Sequence, residues 1–166
     1  MKTQVLIVMG SDSDMPVMDE AGKILKKLGI SYKTVIASAH ITPELTIRLA
    51  SEAEEKGIEV IIAGAGMAAH LAGVIAAHTI VPVIGVPIDS SPLNGLDSLL
   101  STVQMPPGVP VATMAIGKAG AKNAAILSAQ IIGRKDPEVV KRLKDYRRKM
   151  AGEVEKKSRT LQGYNS

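Results

Sequence analysis

Cysteine, tryptophan and phenylalanine are absent from this 166-residue chain, and three tyrosines are its only aromatic residues. Without cysteine there is no disulfide framework, no thiolate nucleophile and no cysteine-held zinc or iron–sulfur centre. The scarcity of rings removes the stacking platforms that bind single-stranded nucleic acid. Tyr32, Tyr146 and Tyr164 also fall outside the loops where a flavin ring would lie. Charge is missing as well: residues 60–88 hold no Asp, Glu, Lys or Arg over 29 positions, a length that could cross a bilayer. Gly64, Gly66, Gly73, Gly85, Pro82, Pro87 and two histidines nevertheless divide that stretch into strand, helix and strand. It reads as the buried centre of a parallel sheet and not as a membrane span. The opening apolar run, Val5–Met9, is too short for a secretory core, so the expected location is the cytoplasm. There is no internal repeat and no low-complexity linker.

What remains is an ordinary globular composition, 46% hydrophobic and 22% charged, of a length that suits one domain. The formal charge of +4 is unevenly placed, since residues 134–160 carry 11 Lys and Arg against 5 Asp and Glu. A basic tail can meet nucleic acid, but without aromatic partners it reads as a solvated or subunit-packing helix. Nucleic acid is not the expected partner.

Short β-branched runs alternate with stretches of helical period. The strands are expected at Val5–Met9, Lys33–Ala37, Val60–Ala63, Val81–Val86 and Val111–Ile116. Val17, Met18, Ala21, Ile24, Leu25 and Leu28 line the first helix, with Pro16 in its opening turn and Gly29 as its stop. Leu45, Leu49 and Ala53 line a second, opened by Thr42-Pro43-Glu44 and closed by Gly57. Further helices are expected near Met67–His78, Leu96–Gln104 and Ala119–Ile132. This alternation predicts right-handed crossovers and a parallel sheet covered on both faces. The fold class is therefore three-layer α/β/α, flavodoxin-like, with five strands in the order 2-1-3-4-5. Residues 1–133 form that domain. Residues 134–166 form a last helix and tail, whose stripe of Val139, Val140, Leu143, Tyr146, Arg147 and Met150 is expected to pack on a neighbouring subunit.

In an open parallel sheet, ligands bind beyond the carboxyl ends of the strands. The segments predicted there are Gly10-Ser11-Asp12-Ser13-Asp14, Ser38-Ala39-His40-Ile41-Thr42-Pro43, Gly64-Ala65-Gly66-Met67 and Asp89-Ser90-Ser91-Pro92-Leu93-Asn94-Gly95. Each Ser or Asp could be a plain helix cap. Four such loops together suit a phosphorylated ligand, held by free backbone N–H groups at helix starts. His40, between small residues at a strand end, is the candidate acid–base, because a free imidazole titrates at about 6.5. His70 falls in a predicted helix, where packing and substrate contact are both open. His78 reads as structural, and no two histidines share a metal-ligand spacing. Gly64-Ala65-Gly66-Met67-Ala68-Ala69 matches a dinucleotide fingerprint with Asp89 downstream. It lies on the third strand, however, and the chain leaves no room for a substrate domain.

Several blocks then run in the order of one family: Met9-Gly-Ser-Asp-Ser-Asp14, Ser38-Ala-His40, Ala63-Gly-Ala-Gly66, Ala68-Ala-His-Leu71, Pro82-Val-Ile-Gly-Val-Pro87, Leu93-Asn-Gly-Leu-Asp-Ser-Leu99, Val103-Gln-Met-Pro106, Gly108-Val-Pro110 and Ala121-Lys-Asn-Ala-Ala125. Over roughly residues 5–150 the chain closely resembles the class I 5-(carboxyamino)imidazole ribonucleotide mutases of de novo purine synthesis. The resemblance implies transfer of a carboxylate from an exocyclic nitrogen to a ring carbon, with no metal, nucleotide triphosphate or organic cofactor. It also implies a homo-octamer whose sites are built partly by neighbouring subunits. By that resemblance His40 is the acid–base and Ser11 and Asp14 bind substrate. Ser13 and Ser38 then serve as phosphate or ribose donors, while Ala65, Gly66, His70 and Leu71 form the wall around the base and carboxylate.

Three positions depart from the family. Ile41 stands where it has a substrate-binding Arg directly after the catalytic His. Met67 replaces the second of two glycines, and Ala72 replaces a Pro. Lys118 or Lys122 from a neighbour could take the place of the Arg. The alternatives are a class II carboxylase that uses free carbon dioxide, a non-catalytic ribonucleotide-binding paralogue, and a scaffold acting through its basic helix.

Overall fold

The computed structural model describes residues 2–164. Five parallel strands, β1 (Val5–Met9), β2 (Tyr32–Ile36), β3 (Val60–Gly66), β4 (Val83–Ile88) and β5 (Ala112–Thr113), form one sheet in the order β2-β1-β3-β4-β5. This is the expected order. Central β1 pairs with β2 from Val5↔Tyr32 to Met9↔Ile36 and with β3 from Val5↔Val60 to Met9↔Gly64. Every residue of β1 and β4 is buried, as continuous apolar strands covered on both faces must be. Edge strand β2 is mostly exposed.

The helices are α1 (Met15–Lys27), α2 (Pro43–Ser51), α3 (Leu71–Ala76), α4 (Leu96–Val103), α5 (Gly117–Ile132) and α6 (Pro137–Tyr164). The period of two along each strand splits the interior into two cores. Val5, Ile7, Met9, Val60, Ile62 and Ile84 meet Met18, Leu25, Ala121, Ala125 and Ile132 of α1 and α5 on one face. Leu6, Val8, Ile61, Ala63 and Val83 meet Ala50, Leu71 and Ile75 of α2 and α3 on the other. Gly29 ends the turn after α1 at φ +67, a left-handed backbone that glycine adopts without steric penalty.

Several boundaries differ from expectation for identifiable reasons. β5 is two residues long instead of six, pairing with β4 only at Ile84↔Ala112 and Gly85↔Thr113. β4 begins after Pro82, whose carbonyl accepts from Ile61 N, and reaches Ile88. The third helix starts at Leu71 and not at Met67. Met67 sits at φ 55, and Ala69 N and His70 N close tight turns on Met67 O and Ala68 O at 2.9 and 2.8 Å. A single 3-10 turn, Asp12–Asp14, precedes α1.

The last helix also departs from expectation. Val139 and Leu143 are buried in this chain's own core, with Tyr146 packed beside them, so the first part of the stripe needs no neighbour. From Arg147 to Leu161 every residue is exposed, a helical reach of about 22 Å. Among the described residues, no helix is long and apolar enough to cross a membrane.

Candidate active site

Each strand feeds a loop at the carboxyl edge of the sheet, and the hydrogen bonds of those loops fix what they present. After β1, Gly10 N donates to Gly64 O at 3.2 Å, tying the first loop to β3. Ser11 then caps the 3-10 turn: its hydroxyl accepts from Ser13 N at 3.2 Å and from Ser13 Oγ at 2.9 Å. Asp14 closes the reciprocal bond, its Oδ2 accepting from Ser11 N at 3.1 Å. The Asp14 side chain is turned inward, leaving the residue 5% exposed. Burial raises its carboxyl above the usual aspartate value, against the lowering effect of the Ser11 and Gly10 N–H groups. Asp14 thus holds the loop's shape, and the Ser11 and Ser13 hydroxyls face outward.

The second loop is braced by Ser38 and Thr42. Ser38 Oγ accepts from His40 N at 3.3 Å and from Ile41 N at 3.2 Å. Ser38 N donates to Thr42 Oγ1 at 2.9 Å, and that hydroxyl donates back to Ser38 O at 3.3 Å. Thr42 therefore spends its side chain on the loop instead of on capping α2. With the backbone so held, His40 is exposed and reaches the third loop. Its Nε2 lies 2.8 Å from His70 Nδ1, the rings meeting edge to face at 74° with centroids 5.0 Å apart. One of these facing nitrogens carries the proton and the other accepts it.

His70 thus occupies the cap position of α3 and meets the other candidate imidazole. Ala65 and Gly66 end β3 half-buried beside this pair. At Gly66 a Cβ would fall 1.7 Å from Ser90 Oγ, so the third and fourth loops touch. Leu71 is buried in the core beneath α3, and its side chain supports the wall from behind. Ile41 is 83% exposed and Met67 61% exposed, so two of the three departures from the family pattern lie on the open rim, whereas the third, Ala72, is buried in α3. Lys122 is not free to serve the site within its own chain: Glu20 holds it at 3.2 Å and Lys23 at 2.6 Å. Hydrogen bonds from Lys23 and then Lys122 keep the Glu20 carboxyl below its usual range. His78 lies apart, its Nδ1 2.8 Å from Val74 O in the preceding turn. Among the described residues, no three His, Asp or Glu side chains are grouped as metal ligands would be.

Sequence reasoning missed the Thr42 brace and the Gly66–Ser90 contact. The first carried a signal, since a hydroxyl four residues after Ser38 and just before Pro43 suits a closed loop. The second depends on β3 and β4 ending level, which the Gly66↔Ile88 register sets.

Fold and loops together define an open parallel α/β domain with two facing imidazoles, a candidate site, at the carboxyl edge of its sheet. The chain belongs to the AIR carboxylase family, whose model matches residues 4–153. It is 58% identical over 161 residues to an N5-carboxyaminoimidazole ribonucleotide mutase of Pyrococcus horikoshii, covering 97% of this chain and 90% of the relative. A mutase of the same name from Escherichia coli K12 is 54% identical over 151 residues, covering 91% and 89%. Among solved structures, PurE of Treponema denticola superposes with a TM-score of 0.86 at 31% identity, covering 95% of this chain and 98% of that one.

Proposed function

We propose that this chain is an N5-carboxyaminoimidazole ribonucleotide mutase of de novo purine synthesis, acting in the cytoplasm. The observation that carries the reading is the His40–His70 pair at the strand ends, in a chain so similar to mutases of that name. His40 donates a proton to the exocyclic nitrogen of the carbamate. The bond from that nitrogen to the carboxyl carbon breaks and carbon dioxide leaves. The enamine-like ring carbon attacks the carbon dioxide, forming the new carbon–carbon bond. The proton on that ring carbon then passes back to His40, which restores both the aromatic ring and the starting imidazolium. One residue serves as acid and then as base because the two steps need opposite protonation states. His70 orients it: a hydrogen bond between the rings fixes which nitrogen of His40 is free for substrate.

Recapture requires that carbon dioxide stay beside the nucleophile, an effective-concentration effect. The mouth on a single chain is open, with His40, Ile41 and His70 all exposed. The proposal therefore includes a homo-oligomer, an octamer by family resemblance, in which copies cover the mouth. Residues 134–166 contribute to it through the part of α6 beyond Tyr146. The exposed aliphatic face of α4, from Leu96 through Leu100 to Val103, supports the same reading. Ser11, Ser13, Asp14, Ser38, Ala65, Gly66, His70 and Leu71 would line the bound ribonucleotide.

The test is a steady-state assay of the purified protein with the carboxyamino ribonucleotide. Isomerisation without added bicarbonate supports the mutase. Product formed only from aminoimidazole ribonucleotide and carbon dioxide would assign the carboxylase, and binding without turnover would assign a non-catalytic paralogue. Light scattering at micromolar concentration checks the assembly, and a monomer there would remove it.

A further inference from the structure

A ribonucleotide brings a phosphate to the carboxyl edge, and the charges on that edge are mostly wrong for it. The strand-end loops and the first turns of the helices that follow contain Asp12, Asp14, Glu44, Asp89 and Asp97. Of the chain's 20 Lys and Arg, one lies in those segments: Lys118, in the first turn of α5. The second loop, which brings His40, offers no cation, because its exposed tip is Ile41.

The register of two helices locates Lys118. Helices α1 and α5 both begin at the carboxyl edge and run parallel, and the Lys122–Glu20 ion pair at 3.2 Å ties them together. One turn back toward both amino ends, about 5.4 Å along each axis, Lys122 becomes Lys118 and Glu20 becomes Pro16. Lys118 therefore stands level with the start of α1, beside the turn that carries Ser11 and Ser13. On its other side, a Cβ on neighbouring Gly117 would lie 3.5 Å from Asp89 Oδ1, so the fourth loop borders it too. The Lys118 side chain is exposed, and among the described residues it makes no ion pair, whereas Lys23 and Lys122 are both engaged by Glu20.

We infer that Lys118 is the phosphate-binding cation of this site, reaching over the Ser11–Ser13 hydroxyls to the 5′-phosphate of the ribonucleotide. An ammonium on a flexible stem is suited to that contact, since it meets phosphate as a point charge without needing a fixed fork geometry. The α5 amino terminus behind it adds a field of the same sign. This chain thus reads the phosphate from the α1–α5 side of the sheet, while the loop of His40 is left to the chemistry.

The inference rests on a ribonucleotide being the ligand, and the experiment separates the two. Calorimetric titrations compare aminoimidazole ribonucleotide with its riboside, which lacks only the phosphate. The wild type should prefer the ribonucleotide, and Lys118→Ala should weaken ribonucleotide binding tenfold or more while leaving riboside binding unchanged. Lys118→Arg should restore most of the loss. Lys122→Ala, which breaks the ion pair but leaves Lys118, should bind as the wild type does. In turnover, Lys118→Ala should raise KM and leave kcat within twofold. An unchanged preference in Lys118→Ala, or equal loss for both ligands, overturns the inference, as does a wild type with no preference at all. Should the wild type bind the ribonucleotide through Lys118 yet turn nothing over, the mutase reading fails and the assignment of Lys118 stands.

Discussion

The two ends of one sheet make opposite surfaces. At the amino edge, before β1, β2 and β3, an open groove of about 990 Å3 is lined by Gln4, Ser31, Glu59, Ile80 and Pro137 among others. Its polar groups are bonded to one another: Gln4 Nε2 to Glu59 Oε1 at 3.4 Å, and Lys135 Nζ to Glu59 Oε2 at 3.4 Å. At the carboxyl edge helix amino ends, serine hydroxyls and two facing imidazoles converge. Parallel strands send every following helix off from that edge, so the positive ends of five helices point there and the negative ends point away. The proposed site is therefore placed by the direction of the backbone dipoles and by groups that can exchange a proton, and not by depth.

The sharpest way to break this contrast is to disable each edge in turn. His40→Asn should lower turnover by about 10²–10⁴-fold, the range for loss of a general acid–base, with thermal denaturation unchanged because the side chain is exposed. Glu59→Gln at the other edge removes the charge that pairs with Lys135 and should leave turnover within about twofold, since exposed ion pairs contribute little. Near-normal turnover of folded His40→Asn would end the mechanism.

Next in size is the packing that lets α5 start where it does. At Gly120 a Cβ would lie 1.6 Å from Ala115 O, a backbone atom that cannot swing aside. Gly120→Ala should cost about 1–3 kcal/mol of unfolding free energy in urea, as overpacking does. In the outlying part of α6, Gly152 has nothing within 4 Å. Gly152→Ala should instead stabilise by up to about 1 kcal/mol, the helix preference of alanine over glycine. A small effect at both positions would mean that the carboxyl edge is not tightly built.

The sheet was legible in the sequence because its signals are local. β1 matches its expected span, Val5–Met9, and the alternation of periods with Gly and Pro punctuation gave the order of strands. The choice of Ser11, Ser38 and His40 also follows from position, since a strand-end loop is readable wherever a strand is. What stayed hidden depends on distant chain segments. The 2.8 Å meeting of His40 with His70 needs β2 and β3 to flank β1 and α3 to begin four residues later than its periodicity suggests. The burial of Val139 and Leu143 needs the α1–α5 face to be open to α6. Both are tertiary facts with no local sign in the residues that take part.

Met67 offers a smaller test of the same edge. It holds φ 55 without being glycine, and a left-handed conformation costs an L-residue roughly 1–2 kcal/mol. Its side chain is largely exposed and contributes little packing in return. Met67→Gly should therefore raise stability by up to about 1 kcal/mol, once the extra freedom of glycine in the unfolded chain is subtracted. A loss of stability would mean that the thioether packs against a neighbouring copy across the mouth, which the melting temperature of the assembled protein would register.

The smallest expected effect lies in the first loop, at Asp14. Its folded carboxyl titrates above the ordinary aspartate value, chiefly because it is buried. The folded chain therefore holds that proton more tightly than the unfolded chain does. Its contribution to stability is greatest below 3.8 and declines as the pH rises through the raised folded value, after which it is flat. Asp14→Asn keeps an acceptor for Ser11 N and abolishes the titration. Urea denaturation of both proteins at about pH 3 and about pH 7 should thus show the difference moving in favour of the variant at the higher pH. Movement the other way would mean that the N–H groups of Ser11 and Gly10 outweigh burial. The loop would then be an anion cradle already filled by its own carboxylate, and not a rigid support for the serines that face the ligand.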